Sequence, residues 1–258
     1  MTKIAAIASG SNGNCYYIEH NNISILIDAG ISRKQIVERM KKLDLDIKKV
    51  KGIFISHEHS DHIKGLEVLS KIYSIPVYFT KKTYENTKLK IEKNLLNFFS
   101  SDDNIIIEDI TIKPFKKKHD AIDPCSFLIN VGNKNIGILT DIGSVCENVI
   151  KNVHQCNILF LESNYDEKML NDGKYPYFLK KRIQSDFGHL SNKEAAEIII
   201  NFASNNLTHI FLSHLSGENN CPIKAKEFFK SELESNNKSH INLIMTSRKE
   251  PSEVLIIN

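Results

Sequence analysis

The six-residue segment His-Glu-His-Ser-Asp-His at positions 57–62 constrains this chain more than any other part of its sequence. It directly follows residues 52–56, a short apolar run that predicts a buried strand. Imidazole and carboxylate groups are preferred ligands of zinc, manganese and iron. On a loop at a strand end, alternation sends the first two histidines to one side, while the aspartate and the third histidine can reach a second point nearby. The segment therefore predicts a metal site at the edge of a sheet.

Three further residues with metal-binding side chains occur in the same context. His119, Asp141 and His214 each come at or shortly after the end of an apolar run of strand type. Alone, each would more often be a surface or capping residue, but together with the first segment they provide enough ligands for two divalent metal ions. Zinc or manganese is the expected metal, and iron also suits such ligands. We expect one ion to be held by His57, His59 and His119 and the other by Asp61, His62 and His214, with Asp141 bridging.

The order of the apolar runs predicts an α/β chain built on two sheets. Runs bounded by turn residues predict strands at 4–8, 15–18, 23–27, 52–56, 77–79, 105–107, 110–115, 126–131, 136–140, 158–161, 210–213, 241–246 and 253–257. Helical spacing and N-cap residues predict helices at 32–43, 66–73, from about 81, near 145–152, at 192–203 and at 222–235. Two successive strand-rich blocks, each followed by helices, predict two sheets packed face to face with helices outside. No linker rich in Pro, Gly or Ser divides them, so we expect one domain over residues 1–258.

Composition and cysteine usage bear on the cellular setting. The net charge of +3 over 258 residues does not by itself indicate nucleic-acid binding. The five cysteines are scattered and never form a C-x-x-C pair, which favours reduced thiols in a cytoplasm over disulfides or a cysteine-based zinc site. The apolar run at the start is too short for a signal sequence, and no run approaches the roughly 18 residues of a membrane span. We expect neither export nor membrane insertion.

The ligand series as a whole resembles the motifs of the metallo-β-lactamase superfamily, and the resemblance covers nearly the whole chain. It consists of the H-x-H-x-D-H element, Asp28 ahead of it and the three later ligands behind it. The resemblance implies an αββα sandwich of two mixed β-sheets flanked by helices, with the metals at one edge. It also implies that Asp28 supports the ligand loop and is not itself a ligand. Asp141 stands where the zinc β-lactamases carry Cys, and His59 stands where flavodiiron oxidoreductases carry Glu, which favours a hydrolase.

Two further segments resemble the tRNA 3′-end nuclease RNase Z. These are Leu-Glu-Ser-Asn at 161–164 and Gly-His-Leu-Ser-Asn at 188–192. The resemblance implies that Glu162 and His189 assist Asp61 in phosphodiester cleavage, with His189 stabilising developing charge or protonating the leaving oxygen. Asp141 and His214 are only 73 residues apart, which leaves no room for the β-CASP insert of larger nucleases. An obvious tRNA-clasping arm is also absent from the sequence.

The segments 9–14, 188–192 and 214–220 together most resemble the bacterial WalJ (YycJ) group. That group is cytoplasmic and is regarded as acting on DNA with 5′-to-3′ exonuclease activity. The resemblance implies a nucleic-acid substrate, DNA before RNA. Basic runs at 116–118 and 180–182 adjoin the expected site, so contact with phosphates is a reasonable hypothesis. The residues that we expect to contact substrate are Lys180, Arg182, Asn219 and Asn220.

Two alternative functions stay open. The pattern H-x-H-x-D-H-x-x-G, which includes Gly65, fits equally well a glyoxalase II-like hydrolase of thioesters or of other small phosphodiesters. A metal-stabilised module that binds nucleic-acid ends without cutting them is an alternative of a different class. The pair of Glu162 and His189 favours nucleic-acid cleavage over the first alternative, and the complete set of metal-binding residues disfavours the second.

Overall fold

Two seven-stranded sheets pack face to face in the computed structural model, which describes residues 1–257. In order of pairing, the first sheet contains β14 (Leu255–Ile257), β1 (Thr2–Ala8), β2 (Cys15–His20), β3 (Ile23–Ile27), β4 (Val50–Phe54), β5 (Val77–Phe79) and β6 (Leu96–Phe98). The second contains β13 (Asn242–Met245), β12 (His209–Ser213), β11 (Ile158–Glu162), β10 (Lys134–Leu139), β9 (Cys125–Val131), β8 (Ile110–Lys116) and β7 (Ile105–Ile107). Both sheets mix parallel and antiparallel pairs.

Helices cover the outer faces of the two sheets. They are α1 (Arg33–Lys42), α2 (Ser60–Ile63), α3 (Leu66–Tyr73), α4 (Lys81–Glu85), α5 (Glu147–Gln155), α6 (Glu167–Asp172), α7 (Tyr177–Ile183), α8 (Asn192–Phe202) and α9 (Pro222–Ser235), with a short 3-10 turn at Ile47–Lys49. The predicted sandwich of two mixed sheets flanked by helices is confirmed. Every helix within residues 1–257 is too short or too polar to cross a bilayer.

Three apolar layers hold the sandwich together. The central layer joins the inner faces of both sheets and contains Phe54, Phe127 and Phe160, all fully buried. A second layer packs α1 and α3 on the first sheet, and a third packs α5, α8 and α9 on the second. Strands buried on both faces read as continuous apolar runs, as in the Ile-Leu-Phe-Leu of β11, which is why the sequence shows them clearly.

The two helices that have a capping box begin where the sequence predicts. Ser32 Oγ accepts a hydrogen bond from Gln35 N, and the Gln35 side chain accepts one from Ser32 N, so a capping box starts α1. Ser191 and Glu194 form the same reciprocal pair at the start of α8. The cap at Ser191 matters for the site, because it sets the direction of the chain two residues after His189.

The segment between β11 and α8 differs from the prediction. It contains two short helices, α6 and α7, that the sequence analysis does not anticipate. In α7 no residue is buried, so the helix lacks the apolar stripe by which a helix is recognised in a sequence. Glu162 directly precedes this segment, and His189 lies near its end.

Candidate metal centre

The seven predicted metal ligands meet at one edge of the sandwich, where strands of both sheets end. Residues 57–62 follow β4 and include the single turn of α2. His119 follows β8, Asp141 follows β10, and His214 comes directly after β12. Asp141 and His214 adopt positive φ angles of 54° and 55°. This backbone conformation is unfavourable for residues with a Cβ, and it turns both side chains out of their strands at the site.

The ligand atoms form the two groups expected from the sequence, joined by one carboxylate. One group comprises His57, His59 and His119, another comprises Asp61, His62 and His214, and within each group the ligand atoms lie within 4.8 Å of one another. Asp141 lies between them. Its Oδ2 is 3.3 Å from His62 Nε2, and its Oδ1 is 3.4 Å from His214 Nε2 and 3.8 Å from His119 Nε2.

Unpaired buried atoms test whether these residues suit a cation. His119 Nε2, His214 Nε2 and Asp141 Oδ2 are buried and have no hydrogen-bond partner. Leaving such atoms unsatisfied is costly, and a divalent ion would satisfy them together. Imidazole and carboxylate donors without any thiolate suit zinc, manganese or iron. The cluster is therefore suited to binding divalent metals.

Asp28 fixes the orientation of two histidine rings, that of His62 directly and that of His57 through Ser56. Its Oδ2 is 2.7 Å from His62 Nδ1 and accepts a hydrogen bond from Ser56 Oγ at 2.8 Å. Ser56 Oγ is in turn 2.9 Å from His57 Nδ1. These contacts occupy the Nδ1 atoms and leave the Nε2 atoms to face the cluster, which is how carboxylates orient metal-bound histidines. Asp28 thus occupies the supporting position that the sequence suggested.

Glu162 connects the cluster to His189. Its Oε1 lies 2.7 Å from His189 Nδ1 and 3.0 Å from His214 Nδ1, while its Oε2 accepts hydrogen bonds from Ile142 N and Leu190 N. The carboxylate is fully buried, whereas the His189 side chain is 21% exposed. Glu162 therefore cannot touch a substrate directly. Its Oε1 instead orients the rings of His189 and His214.

Burial and nearby charge shift the pKa values of the cluster in opposite directions. Burial lowers the pKa of His119 to about 4 and that of His57 well below its ordinary value, so both imidazoles are neutral and able to ligate metal. Burial also acts to lower the pKa of His214, but Asp141 and Glu162 outweigh it and raise that pKa to about 10. For Glu162 burial acts upwards, and the neighbouring His189 and His214 hold its pKa at about 2.

Three polar residues complete the site without having been assigned a role from the sequence. Asn14 Nδ2 lies 3.1 Å from His62 Nε2 and 3.3 Å from Asp61 Oδ2. Ser9 Oγ accepts a hydrogen bond from the backbone N of His214, and Asn164 Nδ2 donates to the carbonyl oxygen of His214. Ser9 and Asn14 lie in the segment 9–14, whose resemblance to a known group was the available signal.

The four residues predicted to contact substrate differ in their burial and in the partners of their side chains. The side chains of Asn219 and Asn220 are buried, and the amide of Asn220 donates to the carbonyl oxygens of Ser163 and Asn164. Their burial argues against the substrate contact predicted from the sequence and gives Asn220 a role in loop architecture. Lys180 and Arg182 lie on α7 near the metal cluster, but each is engaged within the protein. Lys180 Nζ donates to Asn171 O, and Arg182 pairs with Asp120.

The lysine run at 116–118 is also mostly engaged. Lys116 forms an ion pair with Asp123, and the buried Lys117 Nζ donates to Thr140 O at 2.7 Å. Only Lys118 is exposed. The hypothesis of phosphate contact by this run therefore reduces to a single residue.

Comparisons with known proteins agree with the geometry of the site. A family model described as a beta-lactamase superfamily domain matches residues 24–210. The exodeoxyribonuclease YycJ of Bacillus anthracis is 36% identical over 233 residues, which cover 89% of this chain and 88% of that protein. The exodeoxyribonuclease WalJ of Streptococcus pneumoniae serotype 2 is 36% identical over 223 residues, which cover 84% of this chain and 83% of that protein.

A solved structure supports the same fold. The metallo-beta-lactamase fold protein YhfI of Bacillus subtilis superposes with a TM-score of 0.75 at 17% identity, covering 98% of each chain. At this level of identity the likeness concerns the fold alone. The family match extends over most of the chain, and the two sequence relatives cover it almost from end to end. The chain therefore belongs to the beta-lactamase superfamily and, within it, to the family of the YycJ and WalJ proteins.

Proposed function

We propose that this protein is a metal-dependent exodeoxyribonuclease that hydrolyses phosphodiester bonds in DNA. The observation that carries the proposal is the exposed edge of His189, held by the buried Glu162 beside the metal cluster. A hydrolase of small thioesters needs no such second acid–base group. The exodeoxyribonucleases YycJ and WalJ, at 36% identity over most of the chain, support DNA as the substrate.

Seven residues are assigned to two divalent metal ions, with zinc or manganese proposed and iron as a further choice. When bound, such ions supply Lewis acidity and lower the pKa of coordinated water. The protein contributes imidazoles and carboxylates that buried partners hold in position. The proposed ligands are His57, His59 and His119 for one ion and Asp61, His62 and His214 for the other, with Asp141 shared.

His189 is the proposed acid–base residue. Its Nδ1 faces Glu162, so its Nε2 is the atom available to a substrate. A proton held at that atom can stabilise charge on a phosphate oxygen or pass to the leaving oxygen. The buried carboxylate of Glu162 keeps the ring in one orientation. The side chain of Asp61 is 21% exposed, so it lies at the opening of the site, where a substrate can reach it.

The test is a nuclease assay on end-labelled duplex DNA in zinc, manganese or magnesium, with matched RNA and a small thioester alongside. We expect cleavage of DNA, loss of cleavage in Asp61→Ala, and a large reduction in His189→Ala. The exposed His240 provides the control, because His240→Ala leaves the site untouched. Thioester hydrolysis without nuclease activity would favour the glyoxalase II-like alternative. Metal-dependent DNA binding without any cleavage would favour a binding module. Faster cleavage of RNA than of DNA would change the proposed substrate from DNA to RNA.

The proposal also covers the domain organisation and the cellular location of the protein. We assign residues 1–258 to one domain, since the central apolar layer is shared by both sheets. We also place the protein in the cytoplasm, where its five free cysteines would stay reduced.

A further inference from the structure

Exposed aromatic rings are concentrated in one short segment beside the metal cluster. Tyr177 is 75% exposed, Phe178 is 73% exposed and Phe187 is 55% exposed. In the part of the chain that the structure describes, Phe98 is the one other aromatic residue exposed to this degree, and it lies on the edge strand β6. Large rings left in water without a core to pack on are characteristic of binding surfaces.

The helix that carries two of these rings is held at the surface by polar contacts. None of the seven residues of α7 is buried, and a helix of this length is not stable by itself in water. Lys180 Nζ donates to Asn171 O at 2.7 Å, and Arg182 Nε lies 2.5 Å from Asp120 Oδ2. These contacts orient α7 with both rings facing solvent.

The same segment is fastened to the metal cluster. His119 Nδ1 lies 3.1 Å from Gly188 O, and Asp120 N donates to Phe187 O at 3.0 Å. A Cβ at Gly188 would lie 2.2 Å from the carbonyl oxygen of Ile183, so only glycine permits this close return of the chain to His189. The segment that carries the rings is therefore hydrogen-bonded to residues of the metal centre.

Charge around the rings indicates what they would bind. Residues 174–187 contain four cationic side chains and one carboxylate, and of the four cations Arg182 is paired with Asp120. Lys181 Nζ lies 5.6 Å from the centre of the Tyr177 ring, a cation–π arrangement. Rings that accept stacked bases, interleaved with cations that attract phosphates, are the features by which proteins bind single-stranded nucleic acid. A duplex offers no free base faces, and an apolar partner would not favour this many cations.

We infer that Tyr177, Phe178 and Phe187 form a base-stacking platform that receives the single-stranded part of a DNA substrate next to the metal centre. This inference rests on the proposed nuclease function and specifies the form of substrate that it uses. A strand leaving the cleavage site would lay its bases on the rings, with Lys174 and Lys181 near its phosphates. Blunt duplex would gain nothing from the platform until its end opens.

Binding measurements on the full chain test the platform. The probes are a labelled single strand, a duplex with a single-stranded tail, a blunt duplex, and a single strand of abasic sites that keeps the phosphates but lacks the bases. We expect the double variant with Tyr177→Ala and Phe178→Ala to bind the single strand and the tailed duplex at least about tenfold more weakly. Binding of blunt duplex and of the abasic strand should change by less than about twofold. Tyr177→Phe, which keeps the ring, should bind like the wild type.

Phe98→Ala removes another exposed ring, from the edge strand β6, and is the matched control. Fluorescence of a 2-aminopurine base in the strand, which is quenched on stacking, should change with the wild type and not with the double variant. Equal losses for the abasic and natural strands would overturn the platform, and so would an unchanged affinity for the single strand. An altered oligomeric state with unchanged DNA affinity would identify the rings as a protein interface. If the wild type neither binds nor cleaves any DNA, the proposed function fails first; if it cleaves DNA and the variants match it, only the platform fails.

Discussion

Oε1 of Glu162 lies 2.7 Å from Nδ1 of His189, and the same oxygen lies 3.0 Å from Nδ1 of His214. One buried carboxylate oxygen thus orients both the proposed acid–base residue and a proposed metal ligand. The two rings stack with centroids 5.2 Å apart, so a change at Glu162 reaches both. In the proposed function, this arrangement links the residue that would transfer a proton to a residue that would hold metal.

Replacement of Glu162 by glutamine should impair turnover more than folding. Glu162→Gln keeps the size and an acceptor oxygen but removes the negative charge beside His189 and His214. We expect kcat to fall about 10- to 100-fold, as for other residues that orient metal-bound histidines. The check is kcat and metal content measured together over a pH series. An unchanged pH profile with normal kcat would show that Glu162 only supports the fold.

Removal of metal should lower the stability of the protein. Without a cation, Asp61 and Asp141 remain beside each other in a largely buried site, with histidines and Lys117 as counter-charges. A ligand at a hundred times its Kd stabilises the folded state by about 2.7 kcal/mol. We expect EDTA to lower Tm by several degrees and zinc or manganese to restore it. The variant His62→Ala should show little response to either treatment, whereas an equal response would place the metal elsewhere.

The free energy of unfolding of the metal-free protein should be greatest near pH 6.5, the ordinary pKa of histidine. Between about 4 and 6.5, His119 is neutral when folded but protonated when unfolded, so the free energy of unfolding rises with pH. Between 6.5 and about 10, His214 is protonated when folded but neutral when unfolded, so the free energy of unfolding falls as pH rises.

Urea denaturation of EDTA-treated protein across this range measures both limbs. His119→Gln should flatten the acid limb and leave the alkaline limb in place. A free energy of unfolding that rose steadily from acid to alkaline pH would contradict the assignment for His214.

A side chain at position 30 should disrupt the ligand loop. A Cβ on Gly30 would lie 1.6 Å from the carbonyl oxygen of Asp61, and the neighbouring backbone is held by a hydrogen bond from Gly30 N to Asn14 O. We expect Gly30→Ala to lose metal binding and to lower the free energy of unfolding by more than about 2 kcal/mol. Gly52→Ala is the milder comparison, because its Cβ would meet only aromatic side-chain atoms at 3.1 Å or more. Equal stability of the two variants would argue against a rigid contact at Gly30.

The ligand-bearing loop, most of the strands and the two-sheet architecture could be predicted from the sequence. Apolar runs and helix caps are local patterns, and histidines and aspartates at strand ends indicate metal binding by their chemistry alone. The cap at Ser191 is an example, since both of its partners lie within three residues. The family resemblance then supplied Asp28, Glu162 and His189, and with them the proposed chemistry.

Only the tertiary structure decided what these residues do to one another. Asn220 could not be recognised as buried, because its hydrogen bonds reach residues 56 and 57 positions away. Glu162 acts through two histidines that come from separate loops, so its distance from substrate depends on how β11 and β12 pair. The rings of α7 stay in water because nothing packs over them, and a pattern of residue types does not reveal a missing neighbour. The types and local spacing of the residues were thus enough to predict the metal site. The position of each side chain relative to a substrate follows from contacts between distant parts of the chain.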